Sequence, residues 1–241
     1  MPGRADGGGG GGGGGPVAVV IPAYQAAATI ATVVTGARRA CPDATVYVVD
    51  DGSGDETGEW GRGKGATVLV HPRNLGKGAA LRTGIDRALA DGAGVVVTLD
   101  ADGQHPPEEI PRLLAPIARG EADVVLGARA RTAAMPLGRR CTNWLSAALA
   151  SRIGNRAVPD AQTGFRALAR RAAELVRPRE TRYDFEAAFL LEALARGLRV
   201  RSVPIATVYA GRPSHFRHWE DTWLLARVFT RYGRRIIFGA R

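Results

Sequence analysis

Short apolar runs recur through the first half of the chain, and each one stops at a polar or chain-breaking residue. Residues 17–21 run into Pro22, residues 45–49 into Asp50-Asp51-Gly52, residues 67–70 into His71-Pro72, and residues 95–99 into Asp100. The runs are continuous rather than alternating and rich in valine, which predicts strands covered on both faces, as in a parallel sheet. Between them, residues 26–40 and the stretch that opens at Asn74-Leu75-Gly76-Lys77-Gly78 read as helices. Pro106-Pro107-Glu108-Glu109 starts another, with proline and acids in the first turn. A further strand over residues 123–129 leaves Arg129 at its end. Strand–helix alternation of this kind predicts an α/β fold, a mostly parallel Rossmann-like sheet with helices on both faces.

Beyond residue 129 the pattern changes. Residues 135–153 read as a largely apolar helix with a basic start, and residues 159–166 as a polar turn set between helices. Residues 174–179 and 185–196 read as helices, and residues 200–203 and 205–209 as short strands broken by Pro204. The expected domain covers residues 16–215, its C-terminal part built of helices and short strands. Before it, Gly7 to Gly15 is an unbroken glycine run, which predicts a disordered leader over residues 1–15. After it, residues 216–241 predict a basic amphipathic helix, with Arg227, Arg231, Arg234 and Arg235 opposite Leu225, Val228, Phe229, Tyr232 and Ile236. That helix can cover the core or lie in a membrane interface.

Length and composition narrow the classes. A chain of 241 residues, 45% hydrophobic, suits one α/β domain with a well-buried core. Its 33 Lys+Arg against 23 Asp+Glu leave a net charge of +10, which points to a polyanionic partner: nucleic acid, an anionic membrane surface or a phosphorylated substrate. Helix-turn-helix, zinc-finger and RNA-recognition signatures are lacking, so nucleic acid is not the expected partner. Cys41 and Cys141 have neither metal spacing nor a disulfide framework around them. No stretch reaches the roughly 20 apolar residues of a membrane span, and the N-terminus lacks the layout of a signal peptide. The expected location is the cytoplasm, free or peripheral on the inner face of the membrane.

The candidate chemistry lies at the strand ends. Asp100 and Asp102 follow the most buried run, where open α/β sheets bind their ligands. With Gln104 they make an all-oxygen set suited to Mg²⁺ or Mn²⁺, completed by water and substrate phosphates. Asp50 or Asp51 can reach a ribose hydroxyl or a base edge, while Ser53 and Asp55 can cap the helix that follows. Backbone N–H groups at the start of the helix after Gly76, with Lys77 beside them, can receive phosphate. Neither a Walker A loop nor a dinucleotide-binding Gly-x-Gly-x-x-Gly is present.

The ordered set of Val20-Ile21-Pro22-Ala23-Tyr24, Val49-Asp50-Asp51-Gly52-Ser53, Asn74-Leu75-Gly76-Lys77-Gly78 and Leu99-Asp100-Ala101-Asp102-Gly103-Gln104-His105-Pro106 continues in Gly127-Ala128-Arg129, Arg139-Arg140, residues 160–166, Phe185-Glu186 and Val203-Pro204-Ile205. With these motifs the chain resembles the family 2 glycosyltransferases of GT-A fold, in particular the polyprenyl-phosphate (dolichol-phosphate) mannosyl- and glucosyltransferases. The resemblance implies an inverting, metal-dependent transfer of a hexose from a nucleotide sugar, GDP-mannose or UDP-glucose, to a polyprenyl phosphate. It implies that Pro22, Tyr24 and Asp51 hold base and ribose with Lys77 nearby. Asp100, Asp102 and Gln104 would hold the divalent ion and diphosphate. Arg129 with Arg139 or Arg140 would bind the acceptor phosphate, and Asp160, Gln162 and Glu186 would line the sugar and acceptor side. Arg212 and Ser214 are candidates for a loop over the diphosphate. A phosphate acceptor is already anionic and needs orientation rather than a general base, a task that arginine forks suit. Gln25 and Ala26 stand where the family usually has Asn-Glu, and Ala188 replaces an acidic residue, so guanine and uracil both stay open. A soluble hydroxyl acceptor, saccharide or glycerate, is the alternative within the family. A nucleotidyltransferase is disfavoured because no Gly-rich basic loop follows the first strand.

Overall fold

The computed structural model describes residues 15–129, 163–182 and 184–206. Its first part runs β1 (Val17–Ala23), α1 (Ala27–Ala40), β2 (Thr45–Asp50), α2 (Thr57–Gly63), β3 (Thr67–Val70), α3 (Lys77–Ala90) and β4 (Val95–Thr98). A 3-10 turn at Pro107–Glu109 leads into α4 (Ile110–Ala118), followed by β5 (Val124–Arg129). Past residue 162 come β6 (Arg166–Ala169), α5 (Arg170–Leu175), α6 (Phe185–Ala195) and β7 (Val200–Ile205). One seven-stranded sheet has the order β3-β2-β1-β4-β6-β5-β7. β1, β2, β3 and β4 pair in parallel, as do β5 and β7, while β6 runs antiparallel to both β4 and β5. The fold class is the expected one.

Each strand residue faces the opposite side from its neighbour, so the valine runs feed two cores. Val20, Val49 and Leu126 pack with Leu81, Ile85 and Phe189 from α3 and α6. Val19, Ile21 and Val97 pack with Ile30, Val33 and Leu113 from α1 and α4. This two-sided burial is why the runs are continuous rather than alternating. The chain winds from β1 out to β3, then returns to the other side of β1 as β4. The carboxyl ends of β1 and β4 therefore flank a topological switch point, where such sheets form a binding crevice.

Four elements differ from the sequence expectation. β1 continues through Pro22 to Ala23 instead of stopping at Pro22. Val20 O accepts from Leu99 N and Ala23 O from Asp51 N, so Pro22 turns its missing donor toward β4, which has already ended at Thr98. At Arg166, the last residue of the segment expected as a polar turn between helices, the chain enters β6, a central antiparallel strand that the sequence pattern does not predict. Arg166 and the short length hide it, since an arginine inside a sheet breaks the apolar pattern. The helix expected over residues 174–179 is α5, which ends at Leu175; Val176 is already extended ahead of Pro178. Residues 200–205 form one strand through Pro204, tolerated because β7 is a sheet edge. The expected helices over residues 135–153 and 216–241 lie outside the described residues, as does nearly all of the Gly-rich leader.

Candidate active site

The β1–α1 and β2–α2 turns are built as one unit. α1 has no capping side chain of its own and no acid in its first turn, so its leading amides need partners from elsewhere. Gln25 N donates to Ser53 Oγ (3.0 Å), Ala26 N to Thr57 Oγ1 (2.8 Å) and Ala27 N to Asp55 Oδ2 (3.1 Å). Asp55 Oδ1 also accepts from Thr57 N at the start of α2 (3.1 Å), so one carboxylate serves two helices. Partial burial pushes the Asp55 carboxyl up, but hydrogen bonds from Thr57 and Ala27 outweigh it and hold it below its ordinary value. Gln25 takes a left-handed conformation (φ 52°) to make this turn, and Tyr24 beside it is 45% exposed on the rim.

Asp51 is 3% exposed and its carboxylate points into the protein. Oδ1 accepts from Leu75 N (2.9 Å) and lies 2.6 Å from His71 Nδ1; Oδ2 accepts from Gly76 N (2.8 Å). His71 Nε2 in turn lies 3.0 Å from Thr83 Oγ1 on α3. Asp51 therefore fastens the turn that carries Lys77. Sequence reading passed over His71; its place at the end of the strand beside β2 was the available signal.

Two of the leading amides of α3 are taken within the protein rather than left for a phosphate, contrary to the sequence expectation. Gly78 N (2.8 Å) and Ala79 N (3.2 Å) donate to Thr181 O. Gly76 has φ 100°, and a Cβ there would meet Thr181 O at 2.3 Å, so only glycine allows this close approach. The residue of this turn that reaches the crevice is Lys77. Its Nζ lies 2.7 Å from Asp100 Oδ1 and 2.6 Å from Glu186 Oε1. Burial alone would lower the ammonium's pKa; the charges of Asp100 and Glu186 outweigh this and raise it, so Lys77 is a fixed cation.

The other walls explain why these charges stand still. Thr98 Oγ1 donates to Gly164 O (2.7 Å), and a Cβ on Gly164 would lie 2.5 Å from both Asp100 oxygens. Glu186, 4% exposed, belongs to the first turn of α6. Arg166 is 3% exposed on β6; its Nε donates to Thr163 O (2.8 Å) and its Nη1 to Glu186 O (2.7 Å). The arginine that obscures β6 in sequence thus ties the turn beside Asp100 to the helix that carries Glu186. Asp102, two residues on, is exposed in a turn closed by Gln104 N to Asp102 Oδ1 (2.9 Å).

The structure brings Pro22, Tyr24, Asp51, Lys77, Asp100, Asp102 and Gln104 to the carboxyl edge of β1, β2 and β4, and sets Glu186, expected on the sugar and acceptor side, against Lys77. Arg129 is the last residue of β5. Arg139, Arg140, Asp160, Gln162, Arg212 and Ser214 lie outside the described residues. Among the described residues no three His, Cys, Asp or Glu side chains converge on one point. The donor set fits a hard ion held by one or two carboxylates and otherwise by water and phosphate oxygens, with Asp102 turned outward and Asp100 turned toward Lys77.

Residues 18–176 match the family described as Glycosyl transferase family 2. An uncharacterised protein of Methanocaldococcus jannaschii is 35% identical over 170 residues, 68% of this chain and 70% of that protein. The UDP-N-acetylglucosamine–dolichyl-phosphate N-acetylglucosaminyltransferase of Methanococcus voltae is 30% identical over 78% of this chain and 84% of its own. The undecaprenyl-phosphate mannosyltransferase of Micrococcus luteus is 30% identical over 78% of this chain and 82% of its own. Among solved structures, glucosyl-3-phosphoglycerate synthase of Mycobacterium tuberculosis, in complex with Mn²⁺, UDP-glucose and phosphoglyceric acid, superposes with a TM-score of 0.73 at 24% identity, over 91% of this chain and 80% of that one. That likeness shows the shared GT-A fold.

Proposed function

The chain belongs to glycosyl transferase family 2, and we propose that it moves a hexose from a nucleotide diphosphate sugar to a polyprenyl phosphate. The observation that carries this reading is the pair of relatives named for transfer to dolichyl and undecaprenyl phosphate, each matched over 78% of the chain. The net charge of +10 suits both an anionic donor and an anionic acceptor.

Pro22 and Tyr24 flank the base and ribose, and Asp51 fixes the wall behind them through Leu75, Gly76 and His71. Mg²⁺ or Mn²⁺, held by Asp102 and Asp100 with Gln104, would offset the charge that builds on the leaving diphosphate. The buried Glu186 holds Lys77 beside the donor site. Arg129, Arg139 and Arg140 orient the acceptor phosphate, with Asp160 and Gln162 on the sugar side. A phosphate monoester is largely dianionic at neutral pH, its second pKa being about 6, so its oxygen attacks without a base. A single displacement inverts the anomeric centre.

The test is transfer of label from radiolabelled GDP-mannose or UDP-glucose to a short polyprenyl phosphate, read as label extracted into organic solvent. Lipid-borne label with one donor, absent in Asp102→Ala, is the expected result. Metal-dependent donor hydrolysis without lipid product would move the acceptor to a soluble hydroxyl compound.

A further inference from the structure

We propose that Lys77 keeps the divalent-ion site weak until the donor arrives, standing on Asp100 in the free protein and giving that carboxylate up when the diphosphate binds. The inference rests on the sugar-nucleotide reading above. Nζ is shared almost evenly, 2.7 Å from Asp100 and 2.6 Å from Glu186. These carboxylates are not equivalent. Glu186 is buried on a helix whose first turn is held by Arg166, whereas Asp100 stands at the crevice beside the exposed Asp102.

The backbone under Lys77 has little freedom. Asp51 holds the amides of Leu75 and Gly76, and Thr181 O holds those of Gly78 and Ala79. Motion is left to the lysine stem, which can keep Glu186 while its head turns from Asp100 to an incoming phosphate oxygen. Lys77 stays protonated throughout; only its partner changes.

The residue type supports an exchange rather than a clamp. Of the chain's 33 basic residues only Lys64 and Lys77 are lysines. An arginine here would grip Asp100 with a rigid two-pronged fork, whereas an ammonium is a point charge on a flexible stem that changes partners readily. While the ammonium neutralises Asp100 it also repels a dication at the neighbouring Asp102. Removing it should tighten metal binding to the free protein about tenfold or more. Once the lysine has left Asp100 it no longer weakens the metal site, so metal binding to the nucleotide complex should change little and the help that nucleoside diphosphate gives to it should shrink by about the same factor. By reciprocity, metal then helps nucleotide binding that much less.

The experiment follows Mn²⁺ binding by EPR in wild type, Lys77→Gln and Lys77→Arg, with and without GDP or UDP, folding being checked by circular dichroism. The expected result is tighter Mn²⁺ binding by nucleotide-free Lys77→Gln, no tightening in Lys77→Arg, and reduced coupling to the nucleotide in the Gln variant. A folded Lys77→Gln that binds Mn²⁺ no tighter than wild type overturns the proposal. Wild type that binds no Mn²⁺ with either nucleotide, beyond what the nucleotide itself binds, instead overturns the sugar-nucleotide reading. Should the Gln variant not fold, NMR of the two lysine side chains in wild type decides. Metal-free GDP or UDP must shift the Lys77 signal and leave Lys64 in place, and an unmoved Lys77 signal refutes the exchange.

Discussion

Asp51→Asn separates a carboxylate that builds the site from one that only waits for a ligand. In wild type the two oxygens of Asp51 take the amides of Leu75 and Gly76 and the His71 ring. Asparagine keeps the shape but offers one acceptor oxygen and turns an NH₂ group toward a donor. Whichever way the amide sits, at least one N–H in this part-buried turn loses its acceptor and faces another donor. An unsatisfied buried donor costs about 1–3 kcal/mol, and loss of a charged acceptor puts the total at about 2–4 kcal/mol. For a domain of this size that lowers Tm by about 4–16 °C. The assays are thermal unfolding by circular dichroism and hydrogen exchange at the Leu75 and Gly76 amides, which should lose protection in the variant. A variant that melts within about 1 °C of wild type, far inside the shift expected, with both amides still protected, would refute the reasoning and return Asp51 to a purely ligand-facing role.

Two further perturbations test other joints. Gly76→Ala puts a Cβ 2.3 Å from Thr181 O at a backbone with φ 100°, so stability should fall by about 1–3 kcal/mol and Lys77 should be displaced, both readable by denaturant unfolding and lysine NMR. Asp123 accepts from Arg199 Nε, Nη2 and N, and the guanidinium hydrogen bonds, outweighing burial, hold its carboxyl below the ordinary value. Its contribution is therefore full above the unfolded carboxylate pKa of about 3.9 and is lost as pH falls through the depressed folded value. Asp123→Asn should cost about 1–2 kcal/mol at pH 7 and close to nothing in strong acid, measured by urea unfolding across that range; a gap that is constant with pH would contradict the assignment.

The parallel half of the sheet was legible because its strands are buried on both faces, and valine runs ending in Asp, Gly or Pro leave little else to be read. The same ends located Asp100, Asp102 and Asp51. What stayed hidden depends on partners far apart in sequence. Ser53 and Asp55 were legible as caps of α2, but nothing local says that Asp55 serves α1 as well as α2, or that the Ser53 hydroxyl goes to Gln25 N ahead of α1 instead. The amides at the start of α3 look ready for phosphate until Thr181, about a hundred residues on, is seen to take two of them. β6 escaped because its first residue is an arginine whose buried hydrogen bonds go to Thr163 O and Glu186 O. Glu186 and Lys77 each stood among the family motifs, yet only the fold brings them within 2.6 Å.

The central claim concerns the acceptor, and a competition assay tests it most directly. Purified protein, Mn²⁺ and labelled GDP-mannose or UDP-glucose are given a short polyprenyl phosphate and an excess of phosphoglyceric acid in one tube, and the organic and aqueous products are counted separately. The account predicts label in the organic phase, undiminished by the soluble acceptor and abolished in Asp102→Ala. Label moving into glycosylated phosphoglyceric acid, with none in the lipid, would contradict it.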